Sequence, residues 1–321
     1  MRYRQFGSTG LVVSEVGMGC LAIGGSWGPT DDDEALSALK RARELGINFF
    51  DTADAYGRGK SEELIGKAFA GDWEGLVIAT KGGNDIYSEP FQPFPYKKNF
   101  AANYLESALD RSLKRLKKET VELYQLHNPP AQVIQSGEVF EALERFKEKG
   151  KIKFYGVSIG RNGRGTPEEG LMALAKTGVS SVQAVYNILE QENAKELFPA
   201  AKKQSVAIIA RVPLASGLLT GKYTRDTVFP EGDNRRRWPR EVLVGDIGKV
   251  DKLNFLAKHP SSTLAQAALR FVLYNDAVSV VIPGARTLQQ VENNAAASEA
   301  RLSEKELNRI SDLYQHDFYL D

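Results

Sequence analysis

Four side chains suited to proton chemistry stand at or just past the ends of short apolar runs. In "INFFDTADAYG", residues 47–57, Ile47, Phe49 and Phe50 read as a buried strand, which gives way at once to Asp51, Thr52, Asp54 and Tyr56. Lys81 closes "VIATK" and His127 closes "VELYQLH". His127 is one of three histidines and the one at a strand end; His259 and His316 read as helix or tail residues. A lysine beside a phenol favours the phenolate, so Lys81 is expected to pull Tyr56 below the usual value of about 10, with Asp51 holding the lysine. Such a set suits donation of a proton to a carbonyl oxygen that is becoming an alkoxide. Taken singly, Asp51 and Lys81 fit a structural ion pair and Tyr56 and His127 a plain wall. Four such groups on three successive strands point to catalysis.

The elements must bring these ends together. Apolar runs "EVGMGC", "INFFDT", "LVIATK", "VELYQLH", "IKFYGVS", "SVQAVYN", "VAIIAR" and "VSVVIPG" are each followed by a segment of helical period. Near-continuous apolar strands alternating with helices imply a parallel sheet covered on its outside. Eight pairs is the number that closes an α/β fold of the (β/α)8 TIM-barrel type. "RYRQFGSTGLVVS" reads as an N-terminal β-hairpin plugging the barrel bottom. Thr166-Pro167-Glu168-Glu169 has capping-box spacing, and Gly46, Gly150 and Gly178 stand where left-handed helix caps are expected. Two connections are long, from Gly82 to about Phe100 and from Val212 to about Lys249. Both follow strands and so belong to the C-terminal rim, where barrel enzymes keep their chemistry.

The 321 residues carry a net charge of +1, which gives no long-range pull toward nucleic acid or membrane. "RNGRG" at 161–165 and "NRRRW" at 234–238 are the dense basic spots and read first as solvated loops, with local anion binding, such as to a phosphate, as the second reading. No domain linker appears, so residues 1–321 read as one domain. The single cysteine, Cys20, excludes an internal disulfide, fits a cytoplasmic protein and reads as a small core residue. There is no signal-peptide pattern at the start and no apolar run of membrane-spanning length.

Three segments carry a resemblance that runs nearly end to end. "FFDTADAYGRGKSEELIGKAF", "VELYQLHNPP" and "VIPGARTLQQVENN" are similar to signatures of the aldo-keto reductases. That resemblance implies a catalytic set of Asp51, Tyr56, Lys81 and His127, and hydride transfer from NADPH to an aldehyde or ketone without metal or flavin. It further implies that Ser158 and Gln183 meet the nicotinamide carboxamide, although Ile159 follows Ser158 where the family usually has asparagine. "VPLASGLLTGKY", 212–223, resembles the loop that crosses the pyrophosphate, and with it come Pro213, Leu214, Gly217, Leu218, Gly221 and Lys222. Gly284, Ala285, Arg286, Gln290 and Asn294 match the adenosine-phosphate end of NADP(H). Arg211 departs from the family, which usually has a stacking aromatic at this position.

Two other classes share such a barrel: a cofactor-sensing regulatory subunit of the channel-β type with weak reductase activity, and a Schiff-base aldolase using Lys81. The aldolase leaves Tyr56 and "PGAR" unexplained. The aromatics Trp27, Tyr87, Phe91, Phe94, Tyr96 and Trp238 fit either a partly apolar pocket for a small-molecule carbonyl substrate or loop packing. Substrate identity and oligomeric state are not written in the sequence.

Overall fold

The computed structural model describes residues 1–25, 28, 30–89, 95–160, 166–257 and 262–319. A hairpin of β1 (Tyr3–Gln5) and β2 (Val12–Ser14) precedes eight parallel strands. These are β3 (Met18–Gly19), β4 (Phe49–Asp51), β5 (Val77–Gly82), β6 (Val121–His127), β7 (Ile152–Ser158), β8 (Val179–Val185), β9 (Ala207–Arg211) and β10 (Val278–Val281), paired in chain order. The sheet curls until its first and last strands meet. Val16 bridges Val281 and Gly19 bridges Gly284, with the Gly17 N–H donating to the Val281 carbonyl at 2.8 Å.

Successive strand residues face opposite sides. One side chain set therefore points inward: Phe49, Val77, Ala79, Leu123, Ala207, Ile209, Val280 and Ile282, packed with Phe6 and Val13 of the hairpin segment. Burying each larger member contributes about 1.5–3 kcal/mol. The other set, including Phe50, Ile78, Tyr124, Val157 and Val182, packs outward against the helices.

The helices are α1 (Asp32–Glu44), α2 (Lys60–Ala68), α3 (Ala102–Leu116), α4 (Ala131–Ser136), α5 (Glu138–Glu148), α6 (Pro167–Leu174), α7 (Leu197–Lys203), α8 (Arg240–Asp251), α9 (Leu264–Tyr274), α10 (Leu288–Ala295) and α11 (Glu304–His316). Gly46, Gly150 and Gly178 take positive φ as expected. The capping box expected at Thr166 does not form: Thr166 is the N-cap and Pro167 starts the helix, but the threonine side chain caps nothing. Boxes form instead at Thr263 with Gln266 and at Ser303 with Glu306. The long connection after Val212 also holds more structure than expected, because α8 begins within it at Arg240.

Candidate active site

Moving two residues along each strand from the apolar layer reaches the rim. Phe49 leads to Asp51, Ala79 to Lys81, Leu123 to Gln125, and Ile209 to Arg211, all by the same alternation. Parallel register then sets Lys81 beside Gln125, His127 beside Ser158, and Ser158 beside Gln183. A polar layer thus lies directly on the apolar one.

Lys81 is fully buried, and its ammonium makes three hydrogen bonds. Nζ donates to Asp51 Oδ2 at 2.6 Å, to the Thr52 carbonyl at 2.8 Å and to the Tyr56 hydroxyl oxygen at 3.1 Å. Gln183 Nε2 donates to the other Asp51 oxygen at 2.7 Å, and Gln125 Nε2 reaches the same atom at 3.2 Å. Asp51 is therefore satisfied on both oxygens, as a buried carboxylate must be. Burial alone would lower the Lys81 pKa, but Asp51 and Tyr56 outweigh it and leave it raised. A raised lysine stays an ammonium, which is the wrong state for a Schiff-base nucleophile.

Tyr56 corrects one expectation. Its pKa is raised, because burial and the Asp51 charge outweigh the lowering by Lys81. The lysine is mostly spent on its carboxylate partner, so the phenol keeps its proton. Because Lys81 donates to the Tyr56 oxygen, the hydroxyl's own proton must point elsewhere.

The His127 ring lies edge-on to Tyr56, with centroids 5.7 Å apart at 83°. Burial, then the charges of Lys81, Lys98 and Arg211, hold His127 well below the ordinary histidine value, so the ring is neutral. Asn84 Nδ2 and His127 Nδ1 are 2.9 Å apart, and Lys98 Nζ donates to Asn84 Oδ1 at 2.7 Å and to the His127 carbonyl at 2.9 Å. Gln125, Asn84 and Lys98 were not singled out from sequence. Gln125 was findable as a polar residue on the inward face two positions before His127. The other two come from a long loop, where no periodicity marks a direction.

Most of the remaining expected residues gather at the same rim. Ser158 Oγ donates to Gln183 Oε1 at 3.2 Å, but the Gln183 amide nitrogen is already held by Asp51 and by Gln125 Oε1. Arg211 lies across the rim, with Nη2 donating to the Ile159 carbonyl at 2.7 Å. Past Val212, positive φ recurs at Ala215, Ser216, Gly217 and Gly221. Pro213 and Leu218 are buried, and the Leu214 carbonyl accepts from the Gly217 and Leu219 N–H groups. Lys222 is exposed, over the Tyr223 ring. After β10, Gly284 is exposed, Ala285 turns into the core and Arg286 is half-buried. Gln290 and Asn294 fasten this turn, accepting from the Arg286 N–H at 3.0 Å and donating to the Gly284 carbonyl at 3.4 Å.

The reading of 234–238 as a solvated loop fails at Arg235. Its guanidinium is drawn inward by Asp233 at 2.6 Å, and Nη1 donates to the Ser216 carbonyl at 3.0 Å and to the Tyr223 hydroxyl at 2.6 Å. A buried carboxylate two residues away makes the difference. Cys20 is buried, and burial pushes its thiol up, which fits a core residue. Tyr87 bonds to Arg115 and Trp238 packs on Phe229, so both serve loop packing. Trp27, Phe91, Phe94, His259 and the segment 161–165 lie outside the described residues. Among those described, no cluster could hold a metal ion, and no helix is long and apolar enough to cross a membrane.

The profile of the aldo/keto reductase family matches residues 15–315. The uncharacterized oxidoreductase YqkF of Bacillus subtilis is 32% identical, over 99% of this chain and 98% of its own. L-glyceraldehyde 3-phosphate reductase of Escherichia coli K12 is 31% identical, over 97% of this chain and 91% of its own. Among solved structures, the holo form of aldo-keto reductase AKR11C1 from Bacillus halodurans superposes with a TM-score of 0.79 at 30% identity, covering 99% of each chain. Glycerol dehydrogenase AKR11B4 from Gluconobacter oxydans gives 0.84 at 28%, covering 99% of this chain and 97% of its own.

Proposed function

Because the chain belongs to the aldo/keto reductase family and is an oxidoreductase, we propose that it reduces an aldehyde or ketone to the alcohol using NADPH, with Tyr56 as general acid. We take residues 1–321 as a single, closed (β/α)8 barrel domain of the cytoplasm, with the hairpin as its plug. The observation that carries the reading is the chain of contacts Asp51–Lys81–Tyr56, with distances of 2.6 and 3.1 Å, facing a neutral histidine.

The residues present suit a dinucleotide. Positive φ recurs in 212–221, the backbone conformation from which anion-binding turns are built. Arg235 is tied to that loop, and the charge of Arg286 reaches Asp233, the partner of Arg235. Cationic side chains around a backbone turn match a polyanion. Ser158, Gln183 and Arg211 would hold the nicotinamide end, and Lys222, Arg235 and Arg286 the phosphates. The bound cofactor supplies the hydride.

Tyr56 gives its proton to the substrate oxygen as negative charge builds there, a role worth about 10²–10⁴-fold. Its raised pKa keeps that proton available throughout the neutral range. Lys81 holds the phenol oxygen and stabilises the phenolate left behind. Gln183 and Gln125 hold Asp51 in place beneath the lysine by donating to its free oxygen. His127 donates a second hydrogen bond that orients the carbonyl.

Tyr56→Phe tests this. Oxidation of NADPH against a panel of aldehydes should fall by about two orders of magnitude or more. Binding of NADPH, followed by fluorescence titration, should stay nearly unchanged. Turnover within a few-fold of wild type would remove Tyr56 as the acid.

A further inference from the structure

We infer that Lys98 and Asn84 form a hydrogen-bond relay that fixes the tautomer of His127, placing its proton on Nε2. The inference rests on the role proposed above for His127, and it adds two positioning residues to the site.

Each link has only one sense. An ammonium has donors and no acceptor, so the Asn84 atom 2.7 Å from Lys98 Nζ must be the carbonyl oxygen Oδ1. The amide nitrogen then faces His127 Nδ1 at 2.9 Å, and an NH₂ group can only donate. Nδ1 must therefore present its lone pair. In a neutral ring the proton is left on Nε2, the nitrogen remote from Asn84. His127 and Tyr56 can then both donate hydrogen bonds to one carbonyl oxygen. The opposite tautomer would turn a lone pair toward that oxygen and repel it.

The backbone holds the relay in register. Asn84 and Lys98 face each other across a short antiparallel bridge, flanked by the Asp85 N–H donating to the Lys97 carbonyl at 2.7 Å and the Asn99 N–H donating to the Gly83 carbonyl at 3.0 Å. The Tyr104 hydroxyl donates to the Asn84 carbonyl at 2.7 Å. Asn84 is buried, whereas Lys98 is exposed along its stem and turns its ammonium inward. Burial and Arg211 lower the Lys98 pKa. The position of the ammonium also adds to the forces keeping His127 neutral. The paired segments 83–85 and 97–99 thus carry a tautomer lock to the catalytic rim.

The test reads the proton directly. In ¹⁵N-labelled protein, with His127 assigned by comparison with His127→Gln, the wild type should show a bare Nδ1 and a protonated Nε2. Asn84→Asp replaces a donor by a group that only accepts, and should draw a proton onto Nδ1. Lys98→Met, at an exposed position that keeps folding safe, should release the amide and give a mixture of tautomers, which Lys98→Arg should largely reverse. NADPH-dependent kcat/KM should fall about tenfold or more in Asn84→Asp, as a misplaced donor fails the carbonyl. NADPH affinity should hold in the same variant. A proton on Nδ1 in the wild type, or one that stays on Nε2 in both Asn84→Asp and Lys98→Met, overturns the relay whatever the turnover. A proton that moves as expected without loss of turnover upholds the relay and instead removes His127 from the proposed reaction.

Discussion

At the scale of single residues, the site is governed by which charge reaches which atom. Tyr56 shows a cation losing to burial and to its own counter-ion, because Lys81 lies closer to Asp51 than to the phenol. Arg211 is the other informative residue. It lies at the rim with Nη2 on the Ile159 carbonyl, and its charge is felt at both Tyr56 and His127. A guanidinium is planar and can stack on a ring. Beside a nicotinamide it would repel the cationic oxidised form and spare the neutral reduced one. The expected outcome is tighter binding of NADPH than of NADP⁺, and Arg211→Phe should narrow that ratio about tenfold at low salt, where such charge effects are largest. Titration of both cofactor forms checks it. An unchanged ratio means the guanidinium does not face the ring.

At the scale of elements, the loop between β4 and α2 carries an unexpected burden. Asp54 is fully buried, and neither side-chain oxygen has a hydrogen-bond partner in good geometry among the described residues. Nearby Glu62 is satisfied by Arg115 at 2.7 Å and by the Thr80 hydroxyl. Burial first, and Glu62 second, raise the Asp54 pKa well above the ordinary carboxylate value. In the window above about 3.9, the unfolded chain has lost this proton while the folded chain retains it. Folding therefore binds a proton, and stability contributed at acid pH is lost as pH rises through that window. Asp54→Asn should stabilise the protein at neutral pH, and the gain should vanish near pH 3–4. Urea midpoints of both proteins across pH provide the measurement. A gain that is the same at every pH would show that Asp54 does not titrate in this way.

At the scale of the whole molecule, the proposed cofactor residues come from the ends of β7, β8 and β9 and from the turn after β10. A ligand spanning them ties the second half of the chain together and should stabilise it by mass action. At a hundredfold excess over Kd this amounts to about 2.7 kcal/mol, a shift of several degrees in Tm. If Arg286 reads the extra phosphate, NADPH should raise Tm more than NADH at equal concentration. Arg286→Ala should erase most of that difference while leaving the NADH shift alone. Equal losses for both cofactors would remove Arg286 from phosphate recognition.

The amino-acid sequence by itself determined the alternation of strands and helices, because apolar period and glycine caps are local properties. It also determined which end of the sheet bears Asp51, Lys81 and His127, because strand direction follows from chain order. Helix α8 was hidden, since its apolar face is weak and it follows a long connection. Only the tertiary structure decided what each polar group faces. The inward layer put Gln125 and Gln183 on Asp51, residues 74 and 132 positions away along the chain. Burial reversed the expected direction of the Tyr56 shift, and Asp233 drew Arg235 in from an apparent solvent loop. The short bridge between residues 84 and 98 brought the Lys98 ammonium to Asn84 and His127. Hydrogen-bond partners and desolvation depend on groups distant in sequence, and no local pattern encodes them.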